Sequence, residues 1–204
     1  MRRIIVHVAT SADGYIARKD GSFDWLERPR PRGNYGMAAF VRSIDTILWG
    51  RKTYELALTF GDKASAFGKP MRNCVFSRGL LRSVAPGFEL VRLPLGEFVR
   101  ELRAVPGRDV WVMGGAGLIG SLLDEGEVDD LVLHVIPTLI GEGIPLVAPR
   151  HRLVPLELKA IRRFPDGVVR IHYAVKGAAA PRPATRTTTR RTPRKRRRRP
   201  TPSR

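Results

Sequence analysis

The chain has 204 residues, 43% of them hydrophobic, which is enough for one domain with a well-formed core. A single cysteine excludes an internal disulfide and fits a reducing compartment. No apolar run approaches the ~20 residues that a membrane span needs. A cytoplasmic protein that does not contact membranes is therefore predicted.

The net charge of +18 is concentrated at one end of the chain. Eleven of the 37 Lys and Arg residues lie within 177–204, a segment without acidic, aromatic or large aliphatic side chains. Because such a segment cannot offset the entropy of ordering, we predict a folded domain over 1–176 and a disordered polybasic tail over 177–204. Six consecutive basic residues at 194–199 suit weak, non-specific nucleic-acid contact, and a solvated tail without a partner is the alternative.

The first half of the domain alternates strands and helices. A β-branched run predicts a buried strand over 3–9, followed by a polar, glycine-containing segment over 10–26. A helix is predicted over 35–43, a short strand over 46–49, and a second helix over 51–60, directly after Gly50. Two further strands are predicted over 72–77 and 88–93.

The second half continues the alternation and ends in a hairpin. Apolar residues at 95, 98, 99, 102 and 105 form one helical stripe, and those at 118, 119, 122 and 123 form another. Strands are predicted over 109–113 and 130–136, and segments 156–164 and 168–175 flank the turn sequence Pro165-Asp166-Gly167. This order predicts an α/β domain with a mixed sheet covered by helices on both faces.

A glycine run lies at the boundary between the strand 109–113 and the helix after it. In "VWVMGGAGLIG", Gly115, Gly117 and Gly120 match the spacing G-x-G-x-x-G of dinucleotide-binding folds. A Rossmann domain would place an acidic residue at the end of the next strand, but here that strand leaves through Pro137 and Thr138. A Rossmann dehydrogenase is therefore disfavoured, although a glycine turn at a helix N-terminus still suits a phosphate group.

Two other turns carry similar chemistry. Gly50-Arg51-Lys52-Thr53 also joins a strand to a helix, so the two glycine turns together could hold a pyrophosphate, with an exposed basic first turn as the alternative. Ser77 and Arg78 follow the strand 72–77, and a hydroxyl beside a guanidinium suits a ribose 2′-phosphate.

The segments "TSADGYIA", "DWL", "GRKTYE", "VFSR" and "GGAGLIGSLLDEGEVDDLVLHVIPTLIGEGIPL" occur in an order that resembles the dihydrofolate reductase superfamily. The strongest resemblance is to the reductase domain of the riboflavin-biosynthesis deaminase/reductase and its stand-alone relatives, over residues 2–176. It implies a dihydrofolate reductase-like three-layer fold, with a mostly parallel mixed sheet, a C-terminal antiparallel hairpin and a homodimer. One cysteine cannot supply a deaminase zinc motif, so a lone reductase domain without a metal is expected.

The resemblance also assigns residues. It implies that NADPH phosphates are cradled by two turns, and that Ser77 and Arg78 lie by the adenosine 2′-phosphate. The residues of the two turns are Gly50, Arg51, Lys52, Thr53, Gly114, Gly115, Ala116, Gly117 and Leu118. A cis bond between Gly114 and Gly115 is expected. The loop 11–25 would cover the nicotinamide and the substrate, with Asp13 and Trp25 as substrate-binding residues.

The implied reaction adds a hydride from NADPH to a C=N or masked C=O carbon of a pyrimidine or pteridine, for example 5-amino-6-(5-phosphoribosylamino)uracil. Asp24, next to Trp25, is the candidate for orienting the substrate or relaying a proton, and a turn carboxylate that caps local N–H groups is the alternative. Asp13 precedes Gly14 and fits a loop-bracing role equally well.

Few other residues suggest chemistry. Arg28, Arg30 and Arg32 could meet a substrate phosphate or form a solvated basic loop. His7, His134, His151 and His172 lie on separate segments without metal-ligand spacing, and the positions of His7 and His172 within strands predict packing or rim roles for these two. The competing hypothesis of another class is a nucleic-acid-associated protein in which the basic tail is the working part.

Overall fold

A computed structural model of the protein describes residues 1–60, 71–79 and 83–177. The predicted tail therefore lies, from residue 178 onward, outside the described residues. The strands are β1 (Ile4–Ser11), β2 (Tyr15–Ala17), β3 (Ile44–Gly50), β4 (Arg72–Phe76), β5 (Phe88–Val91), β6 (Asp109–Gly114), β7 (Asp130–Ile136), β8 (Ile144–Pro145), β9 (Leu156–Arg163) and β10 (Val169–Val175). The α-helices are α1 (Met37–Ser43), α2 (Arg51–Leu58), α3 (Leu95–Ala104) and α4 (Ala116–Asp124).

The main sheet has eight strands in the order β5-β4-β3-β6-β1-β7-β10-β9. The six strands from β5 to β7 are mutually parallel, whereas β10 pairs antiparallel with both β7 and β9. The predicted mixed, mostly parallel sheet with a terminal hairpin is confirmed. The Rossmann hypothesis is wrong, because that fold places its glycine turn after the first strand of a doubly wound parallel sheet.

Helices cover both faces of the parallel part of the sheet. On one face α3 and α4 pack against β1, β3 and β6 in a cluster that includes Val6, Val99, Val112, Ile119 and Leu122. On the other face α1 and α2 cover a second cluster, which includes Ile47, Trp49 and Trp111. None of the helices in the described part of the chain is long and apolar enough to cross a bilayer.

A small second sheet holds the loop after β1 in place. This sheet was not predicted from the sequence. β2 and β8 pair antiparallel, with Tyr15 opposite Pro145 and Ala17 opposite Ile144. These strands have three and two residues, which is too short for the alternation that identifies a strand in sequence. The loop 11–25 is thus tied to the connection that follows β7.

The first helix begins two residues later than predicted. Asn34–Gly36 form a short 3-10 turn in which Tyr35 has φ 58° and Gly36 has φ 87°. These left-handed conformations are incompatible with a right-handed α-helix, so α1 starts at Met37. The strand predicted over 46–49 is longer, at Ile44–Gly50.

Candidate active site

Two glycine turns meet at one edge of the sheet. Gly50 is the N-cap of α2 and Gly115 is the N-cap of α4, and their strands β3 and β6 are neighbours. A Cβ on Gly50 would lie 3.1 Å from both Gly114 O and Gly115 N, and a Cβ on Gly115 would lie 3.2 Å from Thr53 Oγ1. The backbones therefore approach as closely as glycine allows, and the free amides of two helix N-termini face the same region.

The Gly114–Gly115 peptide bond is cis, as the resemblance implied. Within α4, Leu118 is buried in the core and Ala116 is 8% exposed, so these two residues can offer a ligand only their backbone. Gly117 differs from both, because no atom lies within 4 Å of the position that its Cβ would take. The first turn of α4 is thus open at Gly117 alone.

The third predicted turn lies beside the other two, because β4 neighbours β3 in the sheet. Arg78 follows β4 and donates from Nη2 to Ser121 Oγ of α4 at 2.6 Å. The amide of Gly79 donates to Ser77 Oγ at 3.4 Å. In α2, Arg51 Nη1 contacts Glu55 Oε1 at 2.7 Å, and Lys52 is exposed. The structure therefore brings together all the residues that the sequence assigned to a dinucleotide.

A cavity of about 880 Å³ opens next to these turns. Its floor is the sheet face carrying His7, Ala9, Trp111, Met113, His134 and Ile136. Its cover is the segment 26–41, which includes the 3-10 turn and part of α1. Met113 lines the cavity and Gly114 follows it directly, so the cavity lies beside the glycine turn at the end of β6.

Two buried histidines form a pair on the cavity floor. His7 on β1 and His134 on β7 are 5% and 6% exposed, and their nitrogens Nε2 and Nδ1 lie 3.3 Å apart. The sequence placed them on separate segments, but β1 and β7 are adjacent parallel strands. Within the described chain, the outer nitrogens His7 Nδ1 and His134 Nε2 have no hydrogen-bond partner.

Both rings are neutral near pH 7. Burial, assisted by the charges of His134, Arg170 and His172, lowers the pKa of His7 from 6.5 to about 3. Burial and Arg170 lower the pKa of His134 from 6.5 to about 4. Aromatic rings surround the pair, since Phe40 lies edge-on to His7 at 4.1 Å between centroids and Tyr35 lies 5.6 Å from His134.

The turn between β9 and β10 holds the cavity cover in place. Tyr35 Oη donates to Asp166 Oδ2 at 2.5 Å, and Arg28 Nη2 donates to the carbonyl of Asp166 at 2.6 Å. The Tyr35 hydrogen bond, with help from the Arg28 charge, holds the pKa of Asp166 below its usual range. In the sequence Asp166 carried only a turn signal, so its contact with the cover was missed.

The three acidic and aromatic residues predicted from the loop 11–25 lie outside the large cavity. Asp24 is exposed, and its carboxylate accepts from Arg18 Nε at 2.6 Å, a hydrogen bond that lowers the pKa of Asp24. Asp13 accepts from the amide of Gly141 at 2.8 Å, which is a loop-bracing contact. Trp25 is 8% exposed and lines a smaller cavity of about 470 Å³ with Arg28 and Asp166.

The arginines of the cover differ in their contacts. Arg28 donates to the carbonyl of Asp166, whereas Arg30 donates, among the described residues, to Asn34 Oδ1 at 3.5 Å. Both line the large cavity, and Arg32 is not part of its lining. Arg170, opposite His134 on β10, is half-buried and adds positive charge to the same face. The region around the cavity therefore suits an anionic group on a ligand.

The chain is similar to several bacterial proteins over most of its length. The sequence pattern of the RibD C-terminal domain matches residues 2–170. The Bacillus subtilis proteins YwjB and YyaP, both uncharacterised, are 30% and 32% identical over 84% and 86% of this chain and over 97% and 96% of their own lengths. The riboflavin biosynthesis protein RibD of Corynebacterium ammoniagenes is 30% identical over 71% of this chain, which spans 46% of that protein.

Solved structures share the fold. A Shewanella sp. PV-4 protein assigned to riboflavin biosynthesis superposes with a TM-score of 0.75 and 28% identity, over 85% of this chain and 99% of that one. The Thermotoga maritima diaminohydroxyphosphoribosylaminopyrimidine deaminase/5-amino-6-(5-phosphoribosylamino)uracil reductase superposes with a TM-score of 0.63 at 15% identity, over 85% of this chain and 56% of that protein. The family match, the relatives and the fold agree with the resemblance seen in the sequence. The chain belongs to the RibD C-terminal domain family, whose members include riboflavin-biosynthesis reductases.

Proposed function

We propose that the protein is an NADPH-dependent reductase that adds a hydride to a C=N or masked C=O carbon of a pyrimidine-type substrate. The observation that carries the proposal is that the three turns follow the neighbouring strands β4, β3 and β6, and that the cavity lined by Met113 lies beside the turn after β6. A dinucleotide held by the turns would extend toward a ligand in the cavity.

The residues present fit NADPH. A Cβ on Gly50 would crowd the backbone of Gly114 and Gly115, and a Cβ on Gly115 would crowd Thr53 Oγ1. Gly114 has φ 116°, a conformation that favours glycine, and Gly117 faces open space. Backbone amides of α2 and α4 would hold the pyrophosphate, with Lys52 adding charge. Arg78 and Ser77 would bind the adenosine 2′-phosphate, which NADH lacks. When bound, the reduced nicotinamide supplies the hydride, and the chain provides orientation and exclusion of water.

The cavity supports a heterocyclic substrate with an anionic substituent. Its floor combines neutral imidazoles with the Trp111 indole, and its rim carries Arg28 and Arg30. The related Thermotoga maritima protein is named for 5-amino-6-(5-phosphoribosylamino)uracil, which has such a ring and a phosphate. We propose this compound as the first substrate to test, with Arg30 near its phosphate.

The direct test is NADPH oxidation by the full chain, with and without 5-amino-6-(5-phosphoribosylamino)uracil. Arg78→Ala is expected to raise KM for NADPH by at least tenfold while leaving NADH kinetics unchanged, because a bidentate phosphate contact contributes about 1.5–3 kcal/mol. Ser121→Ala is the matched control, since it removes the Arg78 hydrogen bond and keeps the charge. Equal losses with both nucleotides would remove the 2′-phosphate role from Arg78.

We also propose that the protein is a homodimer whose interface includes β9. All eight residues of β9 are exposed, and Leu156, Leu158 and Ile161 are 41%, 52% and 57% accessible. Leu158 pairs with Tyr173 and Ile161 with Ile171, because the register shifts between His172 and Tyr173. The shift puts Leu158 and Ile161 on the same face, so β9 presents an apolar strip suited to a second copy of the chain.

A further inference from the structure

The cavity floor contains a hydrogen-bonded chain of nitrogen atoms that neither the fold nor the proposed cofactor site uses. The inner nitrogens His7 Nε2 and His134 Nδ1 are 3.3 Å apart, and the outer nitrogens His7 Nδ1 and His134 Nε2 are buried without partners. A buried polar atom that lacks a hydrogen-bond partner destabilises the folded protein. Two such atoms in one pair, both on side chains that line a cavity, indicate that the pair has a partner in the working protein.

The chemistry of two neutral imidazoles restricts this pair to two states. A neutral ring has one N–H and one bare nitrogen, so the inner hydrogen bond needs either His7 Nε2–H or His134 Nδ1–H. In the first state the outer proton is on His134 Nε2, and in the second it is on His7 Nδ1. The pair therefore always offers one donor and one acceptor at its two ends, and a shift of the inner proton exchanges them.

We propose that the His7–His134 pair relays the proton that the reduction consumes, releasing it to the substrate at one outer nitrogen and taking up another at the opposite end. This inference rests on the proposed reductase function, which leaves the source of the proton open. Few other side chains on the cavity floor could donate this proton. Asp24 lies outside that cavity, in an exposed ion pair with Arg18.

The step balances without a further reactant. Reduction of a C=N or C=O bond adds a hydride to the carbon and a proton to the nitrogen or oxygen. The outer N–H bond of one ring breaks as the substrate N–H or O–H bond forms, the inner proton crosses between Nε2 and Nδ1, and water protonates the far outer nitrogen. Both rings end neutral with their tautomers exchanged, and the pair resets by proton exchange with water after product release.

The surroundings favour a neutral relay over an imidazolium acid. Burial is the largest effect that opposes a positive charge on His7, and His134, Arg170 and His172 add to it. His172 is itself engaged, with Nε2 2.6 Å from Asp130 Oδ1. Phe40 packs edge-on against His7, and Tyr35 lies 5.6 Å from His134 between ring centroids, so each ring has an aromatic neighbour.

The first test observes the tautomers directly, by imidazole ¹⁵N NMR of the full chain, and does not depend on turnover. Both rings are expected to be neutral at pH 7 and to carry their protons on the same-named nitrogen, either both Nε2 or both Nδ1. Opposite tautomers, or a cationic ring at pH 7, would break the chain of hydrogen bonds and overturn the proposal.

The second test uses variants that keep the inner contact and remove an outer nitrogen. His7→Gln retains a group at Nε2 and His134→Asn retains one at Nδ1, but neither side chain continues the relay. With NADPH and 5-amino-6-(5-phosphoribosylamino)uracil, kcat is expected to fall by roughly 100-fold or more in each variant, as for loss of a general acid. The rise in melting temperature that NADPH induces is expected to stay at the wild-type value.

A matched control and an isotope measurement distinguish a proton-relay role of His7 and His134 from a packing role. His172→Gln preserves the Nε2 contact to Asp130, lies outside the cavity and is expected to keep wild-type kcat. The rate of the wild type plotted against the D₂O fraction is expected to be curved, because several protons move in one step, and linear for the two relay variants. Wild-type kcat in His7→Gln or His134→Asn would refute the relay and leave the reductase function standing, whereas failure of the wild type to bind NADPH would refute the function itself.

Discussion

At the residue scale, the glycines around the proposed cofactor site differ in what prevents a larger side chain. Gly50 and Gly115 are constrained by the protein itself, since a Cβ on either would lie 3.1–3.2 Å from neighbouring atoms. Gly117 has no such neighbour, although it lies in α4, where glycine costs about 1 kcal/mol relative to alanine. A structural reason for glycine at 117 is missing from the described protein, and a bound dinucleotide would supply one.

Gly117→Ala therefore separates a structural from a binding role. The melting temperature of the variant without ligand is expected to equal or exceed that of the wild type, because alanine favours the helix. The increase in melting temperature caused by NADPH is expected to shrink, because the added methyl group occupies the approach to the first turn of α4. Thermal denaturation with and without NADPH measures both effects. A full NADPH response in a stabilised variant would contradict the assigned role.

The histidine pair leads to a prediction on stability. Folded His7 and His134 have pKa values of about 3 and about 4, whereas the same side chains titrate near 6.5 in the unfolded chain. Below pH 6.5 the unfolded chain binds more protons, so the free energy of unfolding falls as pH falls, by about 1 kcal/mol per pH unit for each histidine. Among the described residues, Arg170, His172 and Tyr35 are charged or titratable groups that face the pair.

Urea denaturation from pH 7 to pH 4.5 measures this slope. The double variant His7→Gln/His134→Asn is expected to lose most of it, and His151→Gln, at an exposed position, is expected to keep it. An unchanged slope in the double variant would mean that other groups carry the acid sensitivity.

A phosphate-binding role for the glycine turns and Arg78 was predictable from sequence, because turn chemistry is local and each turn directly follows an apolar run. The histidine pair was missed for the opposite reason. His7 and His134 meet only because β1 and β7 lie side by side in the sheet, and strand order is not encoded in either strand. A histidine on the buried face of each of two apolar strands was the available signal, and it also fits ordinary packing.

At the element scale, the hairpin β9–β10 both completes the sheet and holds the cover of the cavity. Its turn places Asp166 against Tyr35 and Arg28, so the cover of the cavity is fastened from the antiparallel end of the sheet. The hairpin itself was predictable from Pro165-Asp166-Gly167, because Gly167 adopts φ 86° at the turn. The contact with the cover was not predictable, because residues 28–35 and Asp166 are far apart in sequence and residues 28–35 have no periodic hydrophobic pattern.

Asp166→Ala is expected to loosen the cover without unfolding the sheet. Loss of the hydrogen bond from Tyr35 should lower the free energy of unfolding by about 1–2 kcal/mol. Amide hydrogen exchange over residues 28–36 is expected to become faster, while exchange in β1 and β6 stays slow. Asp20→Ala is a suitable comparison, because Asp20 bonds only to Ser22 among the hydrogen bonds of the described chain. Equal exchange in both variants would show that the Asp166 contact does not hold the cover.

At the scale of the whole molecule, the parallel strands carry the proposed chemistry and the antiparallel edge carries the proposed dimer contact. The sequence resemblance predicted a homodimer but gave no surface for it, because Leu158 and Ile161 are three residues apart and would alternate between faces of a regular strand. The register shift opposite these residues brings them to one face. The polybasic segment lies outside the described residues beyond 177, and its nucleic-acid contact stays a prediction.

Ile161→Asp is expected to convert the dimer to a monomer, because a carboxylate in an apolar interface would lose its hydration without gaining a partner. Analytical ultracentrifugation of the full chain measures the change. Leu139→Asp, at a position that is 74% exposed and outside β9, should leave the mass unchanged. A wild-type protein that sediments as a monomer at all concentrations would refute the interface.

The proposed reductase function requires that the turns at the edge of β3, β4 and β6 hold NADPH. The most direct test is the melting temperature of the full chain with saturating NADPH, with NADH at the same concentration as the control. A ligand at 100 times its Kd stabilises the folded protein by about 2.7 kcal/mol, so a clear increase is expected with NADPH and a much smaller one with NADH. No increase with either nucleotide would mean that the glycine turns serve only the fold, and the proposed reductase function would be wrong.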